Sequence, residues 1–290
     1  MFGIIAAVPT PFDQNNKPNL DLFLSHCSWA LENGCNGLNI LGSTGEANSI
    51  DLKTRKLIMK HASENLDVSK LMVGTGTPSL RETIQLTEFA DSLGYNISLI
   101  LPPYYYKPVS EGGLISWFET IARNLKGKNI KIFFYNFPQM TGFHIPIAVI
   151  KHLISHWPEK FLGIKDSSGD LTYCKEIATL GKGFKVFPSS ESFLGEAQKS
   201  NFAGCISATA NQTSAICAEI WKTRQETNYI LVEKIKKIRN MISKESLIPS
   251  IKYLVGKRTE KKDWERLMPP LIALPEKRKE ELDIFFQTQI

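Results

Sequence analysis

The sequence predicts an α/β fold, a (β/α)8 TIM barrel with a C-terminal helical extension. Three observations carry this expectation: short apolar runs recur along the chain, amphipathic segments lie between them, and eight such pairs can be counted. The runs are "GIIAAVP" (3–9), "GLNILG" (37–42), "KLMVGT" (70–75), "ISLILP" (97–102), "KIFFYN" (131–136), "FLGIKD" (161–166), "FKVFPS" (184–189) and "GCISAT" (204–209). They are nearly continuous in apolar residues rather than alternating, as in parallel strands covered by helices. Segments such as 19–34 and 79–94 carry 3.6-residue spacing, and each ends on a glycine suited to a helix C-terminus. The eight units occupy residues 1–225, close to the ~250 residues usual for this barrel, and 226–290 reads as the extension. No GxGxxG follows the first strand, which leaves a doubly wound open sheet as the second choice.

Composition narrows the class. With 290 residues, 42% hydrophobic and 22% charged, the chain can bury a sizeable core. No apolar run approaches the ~18–20 residues of a membrane span, and the Pro-interrupted opening "MFGIIAAVPTPF" is no signal h-region, so a soluble cytoplasmic protein without a membrane partner is expected. Five cysteines (Cys27, Cys35, Cys174, Cys205, Cys217) form an odd set without CxxC, which predicts reduced, buried thiols rather than disulfides or zinc. The net charge of +6 is concentrated in 233–244 and 256–266, where it is spaced through a helical apolar pattern. These stretches read as solvated helix faces; no nucleic-acid motif accompanies them.

In a (β/α)8 barrel the C-terminal strand ends build the active site. Lys165 ends the sixth strand. An amine held among apolar strand residues is disfavoured as ammonium and available as a nucleophile toward a ketone, although an exposed lysine snorkelling from a strand end fits this stretch equally well. Tyr135, ending the fifth strand at the same depth, reads either as a proton relay or as a core aromatic. After the second strand, "GSTGEAN" (42–48) offers Ser43, Thr44 and backbone N–H groups at a helix start to a carboxylate, or is a plain Gly-rich turn with a cap. His152 and His156 have i,i+4 spacing, but without HExxH or a third ligand they read as a surface helix face, not a metal site.

Taken in order, GSTGE after strand two, PPYYYKP after strand four, YNFP after strand five and GIKDSSG after strand six resemble the dihydrodipicolinate synthase and N-acetylneuraminate lyase family. The resemblance runs from "AAVPTPF" to "GCISATAN" (204–211). It implies a class I aldolase or lyase that joins or splits pyruvate, or another 2-oxo acid, and an aldehyde, with no metal and no cofactor beyond a covalent Schiff base on Lys165. By similarity, Tyr135 relays protons, and Ser43 and Thr44 with the Gly45 backbone hold the pyruvate carboxylate. Tyr105 matches the tyrosine that family members insert into a neighbouring subunit's site to complete a hydroxyl relay with Ser43 and Tyr135. That implies a homo-oligomer, a dimer or a dimer of dimers.

The sequence also departs from the family. The synthases carry an arginine two residues after the proline of YNxP for the second substrate's carboxylate; here Met140 stands there, and a thioether offers no charged fork. Sialate lyases hold sugar hydroxyls with an Asp-Glu pair after strand seven, which Glu191 and Ser192 match only in part. Glu191 and Ser190 either face a hydroxylated substrate tail or cap the next helix, and Ser207 and Thr209 are placed near the site. The resulting expectation is a pyruvate aldolase whose aldehyde is unspecified. The alternative is 4-hydroxy-tetrahydrodipicolinate synthase of lysine biosynthesis; from another class, a non-enzymatic 2-oxo acid sensor, which would form no covalent adduct.

Overall fold

The computed structural model describes residues 1–181, 183–226 and 228–289; Thr227 and Ile290, both within the predicted extension, lie outside the described residues, as does Lys182. Eight parallel strands alternate with helices: β1 Gly3–Ala7, β2 Gly37–Ile40, β3 Leu71–Gly74, β4 Ile97–Ile100, β5 Lys131–Asn136, β6 Phe161–Asp166, β7 Lys185–Pro188 and β8 Gly204–Ser207. They hydrogen-bond in the order β7-β6-β5-β4-β3-β2-β1-β8. Across the remaining seam the Ala203 N–H donates to the Val186 carbonyl at 2.8 Å, bringing β7 and β8 together into a nearly closed barrel. Where β1 meets β8, Gly204 has φ +141° and a Cβ there would collide with the Gly3 carbonyl, so only glycine fits the junction.

Strand alternation explains the continuous apolar runs. Ile5, Met72, Leu99, Phe133, Phe187 and Ile206 point inward and fill the barrel. Their neighbours Ile4, Leu38, Val73, Phe134, Ile164 and Val186 point outward into a second layer beneath the helices. Both faces of each strand are therefore buried. All five cysteines are free and buried.

The helices are α1 Leu20–Glu32, α2 Leu52–Asn65, α3 Leu80–Ser92, α4 Glu111–Asn124, the short α5 Pro138–Thr141, α6 Ile147–His156, α7 Leu171–Ile177 and α8 Ala210–Lys222, followed by α9 Tyr229–Ser243, α10 Leu247–Thr259 and α11 Glu276–Gln289. The N-caps of α1 and α3 are Asn19 and Ser79, whose side chains accept from Leu22 and Glu82 N–H. The seventh unit departs from the expected βα repeat. Between β7 and β8 the chain forms a 3₁₀ segment, Glu191–Glu196, started by Ser190, whose Oγ accepts from the Ser192 N–H at 3.3 Å.

Helices α9 to α11 share an apolar cluster of Ile238, Ile242, Ile251, Leu254, Val255, Trp264 and Leu282, which also takes in Ala208 after β8. A second tie is His26 of α1. It is 1% exposed, its Nε2 lies 2.8 Å from Asn211 Oδ1, and its Nδ1 lies 2.8 Å from Arg258 Nη2 of α10. A neutral ring that donates from Nε2 and accepts at Nδ1 satisfies both neighbours. Burial lowers its pKa from 6.5 to about 4; the Asn211 hydrogen bond opposes this and the Arg258 charge adds to it. Between those values the unfolded chain binds more protons than the folded one. Stability is therefore expected to fall as pH drops through that window, by about 1.4 kcal/mol per pH unit from this group. Urea unfolding of wild type and His26→Gln across the window checks this: the variant should show the shallower acid dependence, and equal slopes would contradict it.

Candidate active site

Parity along β5 and β6 sets the site. Tyr135 and Lys165 are paired in register and point inward, whereas the next residues, Asn136 and Asp166, point outward. The outward pair anchors the strand ends: Asn136 Nδ2 donates to Asp166 Oδ1 at 2.6 Å, Ser168 Oγ donates to Oδ2 at 2.7 Å, and the Ile145 N–H donates to Asn136 Oδ1 at 2.9 Å. The polar residues that follow Lys165 thus lock the end of its strand. Lys165 is 4% exposed and Tyr135 5%. Lys165 Nζ lies 3.2 Å from the Tyr135 hydroxyl, and Ser43 Oγ lies 3.3 Å from that same hydroxyl. Amine, phenol and alcohol thus form one chain of groups able to pass a proton.

The chain of groups sits in a cavity of about 630 Å³ whose lining includes Ser43, Thr44, Tyr135 and Lys165. The loop bearing Ser43 and Thr44 is fixed from two sides. Thr10 Oγ1 donates to the Gly45 carbonyl at 2.8 Å. Glu46, in the left-handed region at φ +55°, accepts from Lys252 Nζ of α10 at 2.6 Å on Oε1 and from the Met268 N–H at 2.7 Å on Oε2. Both side chains of the Lys252–Glu46 pair are fully buried. Lys252 Nζ also donates to the Arg266 carbonyl and lies 4.5 Å from the Phe12 ring centroid. Burial draws the Lys252 pKa below its ordinary value, and Glu46 pulls it back up.

One expected donor is already engaged. The Gly45 N–H donates to the Gly42 carbonyl at 3.1 Å, closing the turn. Among the described residues nothing accepts from the N–H groups of Ser43 and Thr44. The unengaged N–H groups of this turn are therefore one and two positions before the Gly45 N–H that the resemblance implied.

Glu191 and Ser207 do not face the cavity, because Ser207 lies on the outward parity of β8 and Glu191 is wholly buried beside it. Both Glu191 oxygens are taken. Oε2 accepts from Ser207 Oγ at 2.6 Å and Arg239 Nη1 at 2.9 Å; Oε1 accepts from Thr213 Oγ1 at 3.1 Å and from Thr209 Oγ1. Ser190 caps the 3₁₀ segment, as its alternative reading had it. Met140 does line the cavity and is 61% exposed. Tyr105 does not reach it; it is 76% exposed and packs edge-on against Tyr106 at 5.3 Å. His152 and His156 stack at 4.0 Å on α6, with His152 Nε2 3.1 Å from Glu119.

Two contributors escaped the sequence reading. Arg239, assigned to a solvated face within 233–244, lines the cavity instead, as do Ser243 and Ser246 where α9 turns into α10. The available signal was its spacing, four residues after Ile235 and three before Ile242, which places it beside the buried stripe of α9. Lys252 is the other, four residues after Ile248 and next to the buried Ile251 in α10.

With this geometry in place, comparisons with known proteins align. The Dihydrodipicolinate synthetase family matches residues 1–289. The chain is 28% identical over 293 residues to a 4-hydroxy-tetrahydrodipicolinate synthase of Bartonella bacilliformis, covering 98% of this chain and 97% of the relative. It is 31% identical over 211 residues to the enzyme of that name from Syntrophotalea carbinolica, covering 72% and 70%. Among solved structures, a prophage protein of the dihydrodipicolinic acid synthase family from E. coli K12, crystallised with pyruvate, superposes with a TM-score of 0.89 at 25% identity, covering 100% of this chain and 98% of that one.

Proposed function

The chain belongs to the dihydrodipicolinate synthetase family and is a class I pyruvate-dependent aldolase or lyase; from this premise we propose that Lys165 is the imine-forming residue, with Tyr135 and Ser43 as its proton relay. The observation that carries the reading is the buried Lys165 Nζ, 3.2 Å from the Tyr135 hydroxyl in a cavity of about 630 Å³. The neutral amine attacks the pyruvate C2 carbonyl. Tyr135 gives a proton to the carbinolamine oxygen, which leaves as water, and the iminium accepts the electron pair when a C3 proton is removed. The enamine adds to the aldehyde carbon, the aldehyde oxygen takes up a proton, and water releases the product from Lys165. Delocalisation into the iminium stabilises the carbanion, so the chemistry requires neither a metal nor another cofactor.

Ser43 and Thr44 hold the pyruvate carboxylate through their hydroxyls and open N–H groups, at the start of the turn that leads into α2. The second substrate is an aldehyde. Met140 gives the wall after β5 no charged fork, which favours an acceptor held differently from aspartate semialdehyde in the synthases and leaves the synthase as the alternative reading. The sensor reading draws no support from the site, since binding a carboxylate has no use for a buried amine beside a phenol. Tyr105, exposed in one protomer, inserts into a second copy's cavity, making a dimer or dimer of dimers the active form. Among the described residues no helix is long and apolar enough to cross a membrane, in keeping with a cytoplasmic enzyme of small substrates.

The test is Tyr135→Phe. Removing the positioned hydroxyl is expected to lower kcat by about 100-fold or more while the pyruvate adduct still forms, the usual scale of acid–base catalysis. An unchanged kcat would make Tyr135 a packing residue.

A further inference from the structure

The guanidinium of Arg239 is used on one side only. Its Nη1 donates to Glu191 Oε2 at 2.9 Å, to Ser207 Oγ at 3.0 Å and to Thr209 Oγ1 at 2.9 Å. Among the described residues Nε and Nη2 have no partner, and the side chain, 19% exposed, lines the cavity that holds Lys165. Nε–H and one Nη2–H form the parallel edge of a guanidinium, whose spacing matches the two oxygens of a carboxylate. Glu191 fixes the group in place through Nη1 and leaves the Nε/Nη2 edge without an acceptor among the described residues. Its own charge is shared among hydroxyl donors from Ser207, Thr209 and Thr213, on the side away from the cavity. The edge is preorganised, and a ligand that accepts from it need not order a flexible side chain.

We propose that the Nε/Nη2 edge of Arg239 binds the far carboxylate of the second substrate, so that the preferred acceptor is an aldehyde ending in an acid group. The assignment rests on the Schiff-base reading above. It moves the carboxylate anchor from α5, where Met140 stands, to α9 on a different side of the mouth. The rim carries one opposing charge, Glu245, together with Ser243, Ser246 and Gln139. Arg239 is the nearest candidate to outweigh it, since the remaining basic lining residue, Lys165, is committed to the imine.

Steady-state kinetics with pyruvate and a pair of acceptors, succinic semialdehyde and butanal, tests the proposal on the full-length protein, with glyceraldehyde as a hydroxylated third. Wild type should favour succinic semialdehyde over both in kcat/KM. Arg239→Lys retains a cation for Glu191 and loses the fork. It should lower kcat/KM for the acid aldehyde about 10- to 150-fold more than for butanal, chiefly through KM, the fold equivalent of one charged hydrogen-bond contact. The double variant Arg239→Met/Glu191→Gln, which leaves no unpaired buried charge, should show the same selective loss. Equal losses on both aldehydes would assign Arg239 a structural role and overturn the proposal. So would a wild-type preference for glyceraldehyde, which would make the subsite one for hydroxyls. Borohydride trapping of pyruvate on the same samples separates the two levels: trapping with no acid preference rejects the role of Arg239 alone, and no trapping in wild type rejects the Schiff-base reading beneath it.

Discussion

Lys165→Ala is expected to abolish turnover and to leave the fold intact. Alanine cannot form the imine, and the barrel keeps its strand register because the residues that lock the end of β6 are Asp166, Asn136 and Ser168 rather than Lys165. Removing a buried amine that contacts a phenol also leaves no charge stranded: Tyr135 still has Ser43 Oγ at 3.3 Å. The measurements are the rate of condensation with pyruvate and the far-UV and near-UV circular dichroism of the same sample. Residual turnover within ~10-fold of wild type would contradict the assignment, because covalent catalysis through one nucleophile is lost entirely with that nucleophile.

The second large effect concerns the tie between α10 and the loop that bears Ser43 and Thr44. Lys252→Met leaves Glu46 fully buried and facing only the Met268 N–H. Breaking a buried ion pair by removing one partner costs about 3–5 kcal/mol, whereas replacing both partners with groups of similar shape is often neutral. The single variant is therefore expected to lose that much stability in urea unfolding, and Lys252→Met combined with Glu46→Gln to regain most of it. Because Glu46 sits three residues after Ser43, the single variant should also raise the KM for pyruvate. A loss below about 1 kcal/mol, the scale of an exposed pair, would show that the contact does not hold the loop.

Much of this architecture was legible because it follows from local patterning. Continuous apolar runs told of strands buried on both faces, and the segments 19–34 and 79–94, each closed by a glycine, form α1 and α3, with Gly34 and Gly94 at positive φ just past their ends. Lys165, Tyr135 and Ser43 could be grouped in advance, and are neighbours in the structure, because a barrel brings its strand ends together whatever the intervening sequence, and the ordered motifs then named the family. What the sequence hid depends on parity and on long-range packing. Ser207 looked like a site residue by its place at the end of β8, yet one residue of register sends a strand side chain to the opposite face. Glu191 read as a substrate contact or a cap because the family resemblance set it against a pair that holds sugar hydroxyls; nothing local announced that Arg239, 48 residues later, would engage it. Arg239 itself lay within a run of lysines whose net charge suggested solvent, and only its phase relative to Ile235 and Ile242 distinguished it. The seventh unit differs for a local reason: a Ser-rich stretch caps itself after β7 and makes a 3₁₀ segment in place of an α-helix.

The central claim is that a buried amine at the end of β6 forms the covalent intermediate. Its most direct test is peptide mass spectrometry of the wild-type protein after incubation with pyruvate and borohydride. A single reduced pyruvate adduct is expected, carried by the peptide that contains Lys165 and localised to that residue by fragmentation. An adduct on another lysine, or none at saturating pyruvate, would contradict it.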